Sequence, residues 1–292
     1  MVQRNKSTTS RIARGLRQFV AHKEGKTTIK PLAKIIQVKK KLNSPILIAG
    51  FPGAGLVGSI STSYIINRLH MNQIACVESE FIVPGVIYAD GKIRHPFRLY
   101  SNERGEVCVL VCEAPVMIEG IYSVLDAVMN WALHNKVKEV IVLDGIAVEG
   151  LPSSRAPIIL SSDGTEADEA NLIHDYNEED AGGIYPTTAF VGGMSGGILS
   201  CCLSNSIPSK AILISAARGM PDPEGAAILI ESLGKITDNT SLKIDTAELR
   251  KQGAALKTRI EKIIQSLTEQ QQQGQQEQGE SPTSIRDGVM YG

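Results

Sequence analysis

Four stretches of the chain are almost continuously apolar yet short: "PILIAGF" (residues 45–51), "EVCVLVCEA" (106–114), "VKEVIVLDGIAV" (137–148) and "KAILISAA" (210–217). A strand wetted on one face alternates apolar with polar residues, so runs like these ask to be covered on both faces. The stretches between them supply the covering layers. A helix is predicted from Leu56 through "LVGSISTSYIINRL". A second, "IYSVLDAVMNWALHNK", repeats Ile121, Val124, Leu125, Val128 and Ala132 at helical spacing, and "GGMSGGILSCCL" and "PEGAAILIESLGKI" follow. "NQIACVES" and "FRLYS" read as further strands, and "TAFVGG" as the apolar run before a glycine turn. The pattern predicts an α/β fold: a mostly parallel central sheet with helices on both faces, in a single main domain over residues 45–241.

The ends of the chain differ from this middle. Residues 1–44 hold twelve Lys or Arg against one acid, Glu24, a charge of +11 concealed by the overall net charge of −1. Such an arm reads as a solvated, partly disordered extension. Its charge also suits phosphate backbones, anionic lipid or an acidic protein face; nucleic acid is not expected as a partner, and any such contact is assigned to residues 1–44. Aromatic residues are only 4% of the chain, with one tryptophan, Trp131, which leaves little for stacking single-stranded bases. Residues 161–183 form an acidic insertion. Residues 242–268 form a C-terminal helix in which Leu249, Leu256, Ile260, Ile263 and Leu267 make a stripe. That stripe suits packing on the domain's own sheet or self-association, and both stay open. Residues 269–292 are a polar, glutamine-rich tether with nothing to bury.

Little in the composition points to metal or redox chemistry. The five cysteines, Cys76, Cys108, Cys112, Cys201 and Cys202, include no C-x-x-C pair, and the five histidines show no metal-ligand spacing. Buried thiols in a reducing cytoplasm are expected, with no metal and no cofactor. No segment is long and apolar enough to suggest a secretory leader or a membrane span, so no membrane partner is expected.

The turn "GFPGAGLVG" carries Gly53-x-Gly55-x-x-Gly58 between a strand and a helix, the spacing that cradles a dinucleotide pyrophosphate. Glu78, twenty residues after Gly58, stands where a ribose-binding acid is expected. Against this, Pro52 stiffens the turn, and "ESEFIVPGVIYADGK" does not resume a strand–helix pair. A structural reading needs only glycine's freedom of φ and its lack of a Cβ. The turn is therefore read as structural, with a nucleotide-binding enzyme (an ATP-grasp-like ligase or an NAD-dependent one) as the alternative. A second cluster, Gly192 to Gly197, also precedes a helix. Glu113, Glu119, Asp144 and Glu149 lie near strand ends and are candidates to line one pocket, although their spacing specifies no reaction.

Taken together, "GFPGAGLVGSISTSYII", "EVIVLDGIAVEGLP", "GGMSGGILSCCL" and "PDPEGAAILIESL" resemble the archaeal relatives of the eukaryotic proteasome assembly chaperones, over roughly Pro45 to Leu256. The resemblance implies a single α/β domain that forms homo-oligomers, no enzymatic activity, and glycines that serve the fold. As partners it implies proteasome α-subunits, other copies of the chain, and a related assembly chaperone. The final residues Met290, Tyr291 and Gly292 match the hydrophobic–tyrosine–any ending by which such proteins dock between adjacent α-subunits. The chemistry of that ending suits a half-polar crevice. Tyr291 brings an apolar ring with a hydroxyl that needs one partner, and Met290 adapts to an irregular groove. The carboxylate of Gly292 calls for a cation. A flexible tether over residues 268–289 reaches roughly 26 Å, so several tails on one oligomer would bind with high effective concentration.

Overall fold

The computed structural model describes residues 20–21, 28–29, 32–38, 40–89, 91–150, 152, 155–163, 190–260 and 262. Most of the basic segment, the acidic insertion and Met290, Tyr291 and Gly292 lie outside the described residues.

The strands in chain order are β1 (Val20–Ala21), β2 (Thr28–Ile29), β3 (Ala33–Gln37), β4 (Ile46–Gly50), β5 (Asn72–Ser79), β6 (Ile87–Ala89), β7 (Lys92–Arg94), β8 (Phe97–Ser101), β9 (Val107–Cys112), β10 (Glu139–Val148), β11 (Ile158–Ser161) and β12 (Ser209–Ala217). The helices are α1 (Val57–Arg68), α2 (Ile121–His134), α3 (Gly193–Ser204), α4 (Pro223–Ile236) and α5 over residues 247–260. Eight strands form one sheet in the order β11-β12-β10-β4-β9-β8-β5-β3. β12, β10, β4 and β9 are mutually parallel neighbours, with Val142 opposite Ala49 and Ala49 opposite Leu110 at their centre. Together with β5, five of the eight strands run one way, and β11, β8 and β3 run against them. The sheet is mostly parallel, as expected.

Its antiparallel flank follows from the connections. Parallel neighbours need a crossover of a dozen or more residues, whereas a tight turn can only reverse the chain. β8 reaches β9 through a turn at residues 102–106, and β5 reaches β8 through the β6–β7 hairpin, with no helix in either link. β9 and β10, by contrast, are separated by α2. Residues 33–37, inside the basic segment, supply the edge strand β3, whose Lys34 stands opposite Glu78 and pairs with it at 3.0 Å.

Because successive strand residues face opposite sides, each central strand feeds two cores. Leu47, Ala49, Leu110, Val140 and Val142 pack with Val124, Leu125, Val128, Ile198 and Cys202 of α2 and α3. Ile46, Ile48, Val109, Ile141 and Leu143 pack with Val57, Ile65, Ala226, Leu229 and Leu233 of α1 and α4. Helices therefore cover both faces. α4 begins with Pro223 in its first turn and Asp222 as its cap, whose carboxylate accepts the Gly225 N–H at 2.9 Å. Of the stripe on the last helix, Leu249 is buried in the α1/α4 core while Leu256 and Ile260 are half-buried. The front of that helix thus packs on its own domain. Thr188 and Ala189 of "TAFVGG" lie outside the described residues, and Phe190 to Gly192 are not strand.

Candidate functional site

The carboxyl ends of the parallel strands carry the features that the sequence singles out. β4 ends at Gly50, and the chain crosses Phe51 and Pro52 into a short 3₁₀ turn, Ala54–Leu56, before α1. Each glycine of the turn is required by a different neighbour. A Cβ on Gly53 would lie 2.7 Å from Asp144 Oδ1. Gly55 has a φ of +61°, and a Cβ there would meet Ala216 and Asp222 at under 3 Å. A Cβ on Gly58 would lie 2.5 Å from the Leu143 carbonyl oxygen, so this glycine lets α1 sit directly on the sheet. The turn is pinned from behind. The Asp222 N–H donates to the Gly55 carbonyl at 2.8 Å, and the Asp222 carboxylate is paired with Arg155, both side chains being buried.

In front of the turn lies a cavity of about 820 Å³. Its walls come from the segment after β4 (Phe51, Pro52, Gly53), the end of β9 and the loop after it (Cys112 to Val116), β10 (Asp144 to Ile146) and the second glycine turn at the start of α3. The structure thus brings both glycine clusters, Glu113 and Asp144 to one place. Gly55 and Gly58 do not line the cavity but stand behind it. Glu119 and Glu149 are exposed and contribute nothing to its lining. Among the described residues that line it there is no lysine, arginine or histidine.

The two carboxylates differ in their surroundings. Glu113 is paired with Arg98, a buried guanidinium that also donates from Nε to the Tyr100 hydroxyl at 3.0 Å. Arg94 donates to the same hydroxyl. Asp144 accepts the Gly145 N–H at 2.7 Å and a hydrogen bond from Ser195. Burial holds its pKa above the ordinary carboxyl value, and those two hydrogen bonds only partly offset the rise. The Arg98–Glu113 and Arg155–Asp222 pairs, 15 and 67 residues apart in sequence, escaped the sequence reading.

The geometry opposes a dinucleotide on this turn. A pyrophosphate brought to Gly53 would meet the Asp144 carboxylate, with no cation among the described lining residues to offset it. Glu78, the expected ribose-binding acid, stands three strands away from β4, about 14 Å at sheet spacing, and is already paired with Lys34. Among the described residues no group of three or more His, Cys, Asp or Glu is placed to hold a metal ion, and no helix is long and apolar enough to cross a membrane. All five cysteines are free thiols, four of them buried and Cys201 half-buried.

A two-faced α/β layer with its crevice at the carboxyl edge of parallel strands is the framework of many binding proteins and enzymes alike, and comparison narrows it. Residues 47–264 match the PAC2 family, and the chain belongs to that family. The uncharacterized protein MJ0106 of Methanocaldococcus jannaschii is 24% identical over 229 residues, 78% of this chain and 89% of its own. Two solved structures from Pyrococcus furiosus have the same fold. One is PbaA, an archaeal homolog of proteasome-assembly chaperone (21% identity, TM-score 0.66, 84% of this chain and 97% of that one). The other is PbaB, an archaeal proteasome activator (16% identity, TM-score 0.64, 80% and 99%).

Proposed function

We propose that the chain is a non-enzymatic assembly chaperone or binding factor of the proteasome, working as a homo-oligomer that presents its C-terminal residues to the α-subunits of the core particle. The observation that carries this reading is the PAC2 match over residues 47–264, joined to the fold shared with PbaA and PbaB. The docking element is Met290, Tyr291 and Gly292 at the end of the sequence. A phenol ring with one polar edge, a pliable thioether and a free carboxylate suit a half-polar crevice that holds a lysine. One such tail makes few contacts, so the body has to multiply it.

Exposed apolar side chains on the body support self-association. Val86 just before β6 and Tyr88 and Ile93 on the β6–β7 hairpin stand out, as do Ile118 in the 3₁₀ turn before α2 and Tyr122 in its first turn. The Gly53–Gly58 turn has no part in this function beyond holding α1 to the sheet.

The test is capture of purified proteasome α-subunits by the full chain and by a chain lacking Met290 to Gly292, with light scattering on both. The expected result is loss of capture with the oligomer intact. Equal capture by the truncated chain overturns the docking mechanism, and failure of the full chain to bind α-subunits overturns the function.

A further inference from the structure

We propose that the cavity at the carboxyl edge of β4, β9 and β10 is a binding site for a small organic amine: an ammonium held by Asp144 and an apolar body resting on the cavity wall. Four observations converge on it. The cavity's volume, about 820 Å³, lies in the range of small-molecule sites. It opens where the chain leaving β4 turns to the α1 face and the chain leaving β9 turns to the α2 face, the point at which open α/β sheets form their ligand crevice.

The lining adds chemical selectivity. Phe51, Pro115, Ile146, Val191, Met194 and Leu213 give an apolar wall, and the polar side chains among them are Glu113, Asp144 and Ser195. With two acids and no basic side chain among the described residues of the lining, an anionic ligand is repelled and a cationic one attracted. The acids are not equivalent. Glu113 is already matched by the Arg98 guanidinium. The two donors on Asp144, the Gly145 N–H and the Ser195 hydroxyl, are both neutral. A carboxylate has about four acceptor sites, so Asp144 keeps room for a charged donor. Its raised pKa is what a half-buried carboxylate without a cation shows. Gly53 keeps the approach to Asp144 bare, and Phe190 at the rim, 95% exposed, presents an aromatic face that favours a cation.

Nothing in this site depends on the terminal residues, so it stands or falls apart from the docking function. The experiment is ligand-observed NMR and calorimetry on the full chain with three probes of one shape: 2-phenylethylamine, 2-phenylethanol and phenylacetate. The amine is expected to bind, the alcohol at least about tenfold more weakly and the carboxylate not at all. Asp144→Asn keeps an oxygen for the Gly145 N–H and is expected to weaken amine binding by at least about tenfold with no loss of melting temperature. Ile146→Trp, at a partly exposed wall position, is expected to block the amine by filling the cavity while leaving every charge in place. Amine binding unchanged by both substitutions, equal binding of all three probes, or no binding of the amine up to about 10 mM, the concentration range of very weak ligands, would overturn the proposal.

Discussion

The Asp144 carboxylate occupies the space that any side chain at position 53 would need, its Oδ1 being 2.7 Å from where a Cβ on Gly53 would stand. The glycine that makes the turn look like a nucleotide cradle is thus required by a carboxylate that makes the site hostile to phosphate. NAD and ATP at about millimolar concentration are therefore expected to leave the melting temperature unchanged, since only a ligand that binds the folded state raises it. A rise that disappears in Gly55→Val would restore the nucleotide reading.

Gly58→Ala separates two opposing effects. Alanine is favoured over glycine inside a helix by about 1 kcal/mol. The new Cβ, however, would lie 2.5 Å from the Leu143 carbonyl oxygen and within about 3 Å of the Phe51 backbone, and neither neighbour can swing aside. Overpacking of this kind costs about 1–3 kcal/mol, and backbone obstacles put this case at the upper end. The net expectation is lower stability in a urea titration. Gly53→Ala should lose less, because its obstacle is the end of a side chain.

Asp144 sets a pH dependence of defined sign. Burial raises its folded pKa, so the neutral form suits the fold. The associated stability is fully present below the unfolded carboxyl value of about 3.9 and is lost as pH rises through the folded value. At pH 7 the protein therefore carries the cost of an ionised, half-buried carboxylate. Asp144→Asn should melt at a temperature equal to or above that of the wild type at pH 7, with the difference shrinking on acidification. A variant that melts lower at pH 7 and higher at acid pH would show the reverse linkage.

Three of the four buried thiols, Cys108 and Cys112 on β9 and Cys202 on α3, should be inert. Burial pushes Cys108 and Cys202 up to about 12 and Cys112 to about 11, so almost no thiolate exists at pH 8, and the thiolate is the reactive species. Cys112 is further engaged as a donor to the Ala114 carbonyl at 3.2 Å. Iodoacetamide is expected to modify Cys201 first and these three only after unfolding, as mass spectrometry of native and denatured samples would show.

The runs of Val, Ile and Leu in β4, β9, β10 and β12 were legible because a strand covered on both faces has no polar residue to interrupt it. The direction of β8 against β9 was not, since apolar content says nothing of direction and only the missing helix between them decides it. Of the four carboxylates read as pocket candidates, Glu113 and Asp144 line one cavity from β9 and β10, the strands on either side of β4. Glu119 sits within the 3₁₀ turn Ile118–Gly120 and Glu149 beyond the last residue of β10, and both are exposed. Arg98 and Arg155 find their partners only through the fold, and no local signal marked them.

Arg250 and Glu231 tie the last helix to α4, and their linkage runs opposite to that of Asp144. The Arg250 guanidinium donates from Nε to Glu231 Oε1 at 2.8 Å and from a terminal nitrogen to Oε2 at 2.5 Å, and the Thr246 hydroxyl donates to the same carboxylate. The Arg250 hydrogen bonds first, and that of Thr246 with them, hold the Glu231 pKa below the ordinary value against the effect of burial. The stability so gained is present above the unfolded carboxyl value of about 4.3 and is lost as pH falls through the folded one. Both side chains are a third to a half exposed, so water screens the pair and its worth is at most about 1 kcal/mol. Arg250→Ala should therefore lower the melting temperature slightly at pH 7 and not at all near the acid end. Hydrogen exchange should quicken over residues 247–260 well before the central strands respond, because Leu249 is then left to hold that helix to the α1/α4 core with only half-buried Leu256 and Ile260 behind it.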